Sequence, residues 1–227
     1  MTDIIKDEEF IRLEKEFKFL SRARARLGEL DNLSYVIVDL ETTGLNPSTD
    51  EIIEIGAIKV ENKEIKDIFN KLIKPDKAIP ENIVELTGIT QEMVHNELPI
   101  KPVLEQFVKF LGDRIFVAHN AEFDSSFIKV QMKKILNKNM DNFIACTLLV
   151  ARDILPNLEN HKLPTVARYF GLEIANRHRA IGDAELTYQI WLKFLDKMKE
   201  KKIVTKKDLE IYLAGLDKPK IKEAVPF

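Results

Sequence analysis

The stretch that most constrains this chain is Tyr35–Val38, a short apolar run closed by Asp39-Leu40-Glu41 and the polar turn Thr42-Thr43-Gly44. Residues two apart on a strand face the same side. Asp39 and Glu41 would therefore present two carboxylates together. Carboxylates that close raise each other's pKa and repel unless a cation neutralises them. A hard divalent ion such as Mg2+, which takes oxygen ligands, is the simplest compensation. Taken alone, the pair reads better as a strand ending in a solvated turn. Its weight comes from what lies downstream.

A chain of 227 residues makes one generous domain, or one domain with appendages, and can bury a full core. Lys and Arg number 35 against 37 Asp and Glu, for a formal net charge of -2. That excludes a grossly basic protein but leaves room for a local basic groove. The single cysteine, Cys146, permits no intrachain disulfide and no CxxC zinc site. It lies in the apolar stretch FIACTLLV and is expected in the core. The first residues are acidic, with no apolar leader, and no window of about 18 apolar residues exists. The default expectation is a cytoplasmic protein with no membrane span.

Residues 1–34 form a helical appendage in this reading. Phe10, Leu13, Phe17 and Leu20 recur at helical spacing, with acidic residues leading and basic ones following. From Tyr35 the pattern turns to strands. The spacing predicts Tyr35–Val38, Ile52–Val60 and Ile65–Ile73 as an antiparallel meander, the last two joined around Asn62-Lys63.

Helices are expected near Pro80–Thr87, after the cap Thr90, over Pro102–Leu111, Ala121–Leu136, up to Leu155, over Leu163–Phe170 and over Ala180–Lys199. Short strands are expected at Ile115–Ala118 and Phe143–Ala145. On the Ala121 helix, Phe123, Phe127, Ile128, Val130 and Ile135 are expected to face inward; on the Ala180 helix, Ala184, Tyr188, Trp191, Leu192 and Leu195. Thr205 caps a last small helix, Lys206–Leu213, with Asp208 in a capping-box position. Residues 35–200 thus read as one α/β unit, a mixed sheet with helices on both faces, followed by a short helix and tail over 201–227.

Two further acids stand in suggestive places. Asp124 follows a buried strand in His119-Asn120-Ala121-Glu122-Phe123-Asp124, and Asp183 follows His178 by five residues. Each has an innocent explanation at a helix N-terminus, and sequence alone does not bring them to Asp39. Together, however, Asp39-x-Glu41-Thr42-Thr43-Gly44, His119-Asn120-Ala121-x-Phe123-Asp124 and His178-x-x-x-x-Asp183 resemble the DEDDh class of 3'-5' exonucleases. That class includes the proofreading subunits and domains of bacterial replicative polymerases. The stretch Leu86-Thr87-Gly88-Ile89-Thr90 is similar to a substrate-side loop of the proofreading group.

The resemblance implies a ribonuclease-H-like fold. It implies Asp39, Glu41, Asp124 and Asp183 as ligands of two divalent cations, Mg2+ with Mn2+ as a substitute, and His178 as general base. Free imidazole titrates near 6.5, so a neutral ring can take a proton at cellular pH. The resemblance further implies Leu40, Thr42, Thr43 and Gly44 around the terminal nucleotide, Thr87 on the substrate side and Phe123 beside the terminal bases. His119 and Asn120 match the pattern, the more so as scaffold. The implied activity is release of nucleoside monophosphates from single-stranded or frayed DNA 3' ends, in proofreading or repair. A DNA polymerase or another replication or repair protein is the implied partner. The same chemistry on RNA ends and a non-catalytic binding module are the alternatives.

Overall fold

The computed structural model describes residues 30–174 and 178–216. The expected helix carrying Phe10, Leu13, Phe17 and Leu20 and the tail after residue 216 lie outside the described residues. A 3-10 turn, Leu30–Asn32, leads into β1 (Ser34–Thr42). The first strand runs on through Asp39, Leu40 and Glu41, so the two acids belong to the strand and not to a turn after it. β2 (Ile52–Glu61) and β3 (Glu64–Leu72) complete the expected meander. Asn62 and Lys63 both adopt positive φ, 54° and 62°. That is the backbone a two-residue turn needs to match the strand twist.

Three helices follow: α1 (Glu81–Thr87), α2 (Gln91–Val94) and α3 (Ile100–Leu111). Gly88, at φ 69°, ends α1 in the left-handed region that glycine enters without steric cost. Next come β4 (Ile115–Ala118), α4 (Ala121–Leu136), β5 (Ile144–Cys146), α5 (Thr147–Ile154), α6 (Leu163–Tyr169), α7 (Ala180–Glu200) and α8 (Lys206–Gly215). Thr205 and Asp208 form the expected capping box of α8. Cys146 is half-buried where β5 passes into α5.

The sheet order is β3-β2-β1-β4-β5. β1 pairs antiparallel with β2 and parallel with β4, and β4 pairs parallel with β5. This is a ribonuclease-H-like mixed sheet. Alternation along β1 sorts its side chains onto two cores. Val36, Val38 and Leu40 pack with Phe107, Phe127 and Ile128 of α3 and α4. Tyr35 and Ile37 pack with Trp191, Phe194 and Leu195 of α7, and Leu209 and Leu213 of α8 join the same cluster.

α7 runs antiparallel to β1 across the second of these faces. Tyr35 and Trp191 meet edge to face, with ring centroids 5.6 Å apart. Eight helical residues rise about 12 Å and four strand residues span about 13 Å. Going back from Trp191 to Asp183 therefore matches going forward from Tyr35 to Asp39. The buried residues of α7 include Asp183, Ala184, Leu186, Thr187, Ile190, Trp191, Phe194, Leu195 and Met198, and Tyr188 and Leu192 sit at their margin. The observed stripe differs from the expected one by about one position: Thr187, Ile190 and Phe194 are buried where Tyr188 and Leu192 are expected. On α4 the buried residues include Ala121, Asp124, Ser125, Phe127, Ile128, Gln131 and Met132, while Phe123, Val130 and Ile135 are half-buried. In both helices the correction turns an aspartate inward at the first turn.

Helix and sheet touch most closely at Gly56 of β2. A Cβ there would lie 2.3–2.5 Å from backbone atoms of Ala180 and Ile181. Only a hydrogen leaves room for the helix to begin at this height. Gly56→Ala is expected to lower stability by about 1–3 kcal/mol, the usual cost of overpacking, measured by urea unfolding. An unchanged unfolding midpoint would show that the helix start yields freely.

Candidate metal centre

The sheet places Asp39 and Glu41 on the face of Tyr35 and Ile37, the face that α7 covers. The register breaks between Glu41 and Thr42, a bulge of the kind that re-aims side chains at the ends of strands. Asp183 comes down from the first turn of α7 and is 6% exposed. The three meet: one carboxylate oxygen from each of Asp39, Glu41 and Asp183 lies within 4.8 Å of the others. The positive end of α7 favours a carboxylate at this position.

Asp124 enters from the opposite face of the sheet, in the first turn of α4, and is 3% exposed. The β1–β4 pairing is last registered at Ile37 and Val117. Beyond it, the Leu40 N–H donates to Asp124 Oδ1 at 3.1 Å. Asp124 is not among the three converging carboxylates. Burial pushes its carboxyl up from 3.8 to about 8, against the opposing pull of its own N–H and that of Leu40.

The residues expected around a terminal nucleotide form a tightly folded turn. The Thr42 hydroxyl donates to the Gly44 carbonyl at 2.6 Å. Thr43 N–H donates to the Glu51 carbonyl, and Glu51 N–H returns a bond to Thr43 Oγ1 at 2.9 Å. A Cβ on Gly44 would lie 2.4 Å from Asp50 Oδ2, the oxygen that accepts from Asn46 N–H. The Leu40 side chain lies in the core beside Phe127. Phe123 is half-buried, its ring 5.0 Å from that of Phe127.

Thr87 and His119 have polar groups engaged within the protein. The Thr87 hydroxyl donates to the Ile83 carbonyl and accepts from Ile89 N–H. His119 contacts Thr147 Oγ1 through Nδ1, and its Nε2 donates to the His161 carbonyl, both at 2.9 Å. Asn120 is exposed and takes the left-handed conformation, φ 63°, at the start of α4. His178, half-buried, also has positive φ, 60°, one residue before the α7 N-cap Arg179. Arg177 lies outside the described residues.

Sequence reasoning missed Glu54. It stands on β2 directly opposite Glu41 and is fully buried. Arg179 grips it with two hydrogen bonds, Nε to Oε2 at 3.1 Å and Nη2 to Oε1 at 2.8 Å. The Ala180 N–H adds a third, to Oε2, at 2.9 Å. The bonds to Glu54 raise the pKa of the Arg179 guanidinium above its ordinary value. The available signal was one acid inside the apolar run Ile52–Ile58.

The donor set is all oxygen and all carboxylate, with Asp183 buried and Asp39 half-buried. It fits a hard divalent cation such as Mg2+ or Mn2+, and not an ion that prefers thiolate or imidazole.

These features define a class, an exonuclease fold with clustered carboxylates, and comparison with known proteins specifies it. The exonuclease family model matches residues 36–191. The chain is 41% identical over 177 residues to a PolC-type DNA polymerase III of Thermotoga maritima, and 42% identical over 190 residues to that of Clostridium perfringens. These matches cover 78% and 82% of this chain but only 13% of each polymerase.

Among solved structures, Exonuclease X in complex with 5' overhanging duplex DNA superposes with a TM-score of 0.57 at 24% identity, covering 73% of this chain and 92% of that one. The nuclease domain of 3'hExo, a DEDDh family member bound to rAMP, gives 0.63 at 21%, covering 72% and 92%. The Escherichia coli Exonuclease I complex with a dT13 oligonucleotide gives 0.65 at 19%, covering 80% and 43%. The chain belongs to the exonuclease family, as a DEDDh-type 3'-5' exonuclease domain related to that of PolC-type DNA polymerase III. Among the described residues no helix is long and apolar enough to cross a membrane.

The raised Asp124 carboxyl has a pH signature in metal-free protein. Between about pH 4 and pH 8 the unfolded chain has released this proton and the folded protein still holds it. The folded state then binds more protons, so its stability falls as pH rises through that window. Asp124→Asn keeps a carbonyl for the Leu40 N–H and carries no charge. In urea unfolding with EDTA, the variant should gain on the native protein as pH goes from 5 to 8. Parallel curves would contradict the cause given for the shift.

Proposed function

We propose that this chain hydrolyses phosphodiester bonds at DNA 3' ends, releasing nucleoside monophosphates one at a time. The observation that carries the reading is the convergence of Asp39, Glu41 and Asp183 within 4.8 Å. Asp39, Glu41 and Asp183, with Asp124 beside them, would hold two divalent cations, Mg2+ or Mn2+. When bound, these supply activation of the nucleophile and stabilisation of charge on the phosphoryl oxygens. His178 accepts the proton of the attacking water on an imidazole nitrogen.

The turn Thr42-Thr43-Gly44 and the backbone of Leu40 hold the terminal nucleotide, and the Phe123 ring supports its base. The internal hydrogen bonds of Thr87 and His119 fit residues that shape the wall, with Asn120 exposed at the start of α4. Single-stranded or frayed ends are the preferred substrates, since they need no unpairing. The choice of DNA over RNA is supported by the relatives, in which the matched segment belongs to DNA polymerases. Those relatives also support work beside a DNA polymerase, in proofreading or repair.

Oligonucleotides of DNA and RNA labelled at the 5' end test the proposal. In Mg2+ the DNA should shorten stepwise from its 3' end, and EDTA should stop the reaction. Asp39→Ala and Asp183→Asn should abolish hydrolysis while the fold survives. His178→Ala should slow it by about two to four orders of magnitude with Mn2+ binding retained. Shortening of RNA alone would move the substrate to RNA. No shortening of either would overturn the nuclease reading.

A further inference from the structure

The metal centre needs Asp183 and His178 to arrive from a segment more than a hundred residues downstream of β1, and Glu54 bonds that segment at Arg179 and Ala180. We propose that Glu54 and Arg179 form a positioning strap that sets the height and rotation of the α7 start over β1, and with them the placement of Asp183 and His178. The inference rests on the nuclease reading for its catalytic consequence and on geometry for everything else.

Asp39 and Glu41 pair across the β1–β2 ladder with Gly56 and Glu54. Directly opposed residues point to the same side of a sheet, so all four lie under α7. Gly56 lets the helix backbone come down, and Glu54 holds it there. Its two carboxylate oxygens take both forks of Arg179 and the Ala180 N–H. The guanidinium fork is planar and binds a carboxylate in a fixed orientation. Three bonds to one fully buried carboxylate therefore fix both position and direction at residues 179 and 180. His178 is the residue immediately before and Asp183 lies within the first turn after.

The strap also matches charge. Glu54 faces Glu41 across the strand pair, where like charges are unfavourable. Arg179 neutralises Glu54, and its charge also acts on Glu41. Glu54 is thus an acid beside the centre that acts through Arg179 and not as a ligand.

Glu54→Gln keeps a carbonyl for the Ala180 N–H and loses the charge and half of the fork. Two readouts separate positioning from plain stability: kcat with the Mg2+ dependence of hydrolysis, and Mn2+ affinity measured by electron paramagnetic resonance without substrate. The expected result is a kcat about ten- to a hundredfold lower and weaker Mn2+ binding by a comparable factor, the range seen when residues supporting metal ligands are altered. The KM for oligonucleotide should stay near the native value.

Arg179→Lys, which cannot form the fork, should move both readouts in the same direction and decides the matter should Glu54→Gln not fold. The double variant should lose little more than the worse single one, because the pair acts as a unit. Native kcat and Mn2+ affinity in variants with a lowered unfolding midpoint would overturn the strap. If the native protein hydrolyses neither DNA nor RNA, the nuclease reading falls, and Mn2+ affinity alone still decides whether the strap places Asp183.

Discussion

The close approach of α7 to the β1–β2 backbone is the constraint on which the rest depends. With Tyr35 against Trp191 and Gly56 against Ala180, the helix has little freedom to slide or turn. Its buried stripe then continues past Ala184 to Asp183, which is carried onto the strand face that bears Asp39 and Glu41. The same packing that buries Trp191 and Phe194 brings three carboxylates together. Site geometry is here a by-product of hydrophobic registration along an antiparallel helix and strand.

Concentrating carboxylates has a cost, and the fold offsets it with several local devices. Asp183 and Asp124 each sit in the first turn of a helix, where the backbone dipole favours negative charge. Asp124 gains a backbone N–H from Leu40, yet burial still holds its carboxyl near the protonated form. Glu54, the acid nearest in the ladder to Glu41, is neutralised by a two-pronged arginine. Asp39, Glu41 and Asp183 form an oxygen-rich cluster suited to a divalent ion.

Much of this was legible in the residues. The meander, the Asn62-Lys63 turn and the helix closed by Gly88 follow from local backbone preferences. The α/β class follows from alternation of periods. The pairing of Asp39 with Glu41 follows from strand geometry, although the strand extends further than its apolar residues alone announce. The convergence with Asp183 was implied by resemblance to a nuclease family and was not readable from spacing. The inward faces of α4 and α7 differ from the apolar stripes read in the sequence in part because Asp124, Ser125, Gln131, Asp183 and Thr187 are buried polar residues, which an apolar pattern passes over. Glu54 was missed for a related reason. An acid within a strand reads as a solvent-facing residue until its partner, 125 positions away, is known.

The most direct measurement is anomalous diffraction from crystals grown with Mn2+. Manganese density should appear among Asp39, Glu41 and Asp183, with carboxylate oxygens at the distances of roughly 2.0–2.2 Å usual for small, hard divalent cations. Crystals in which those three side chains keep their places, while no manganese binds between them, would contradict the metal centre.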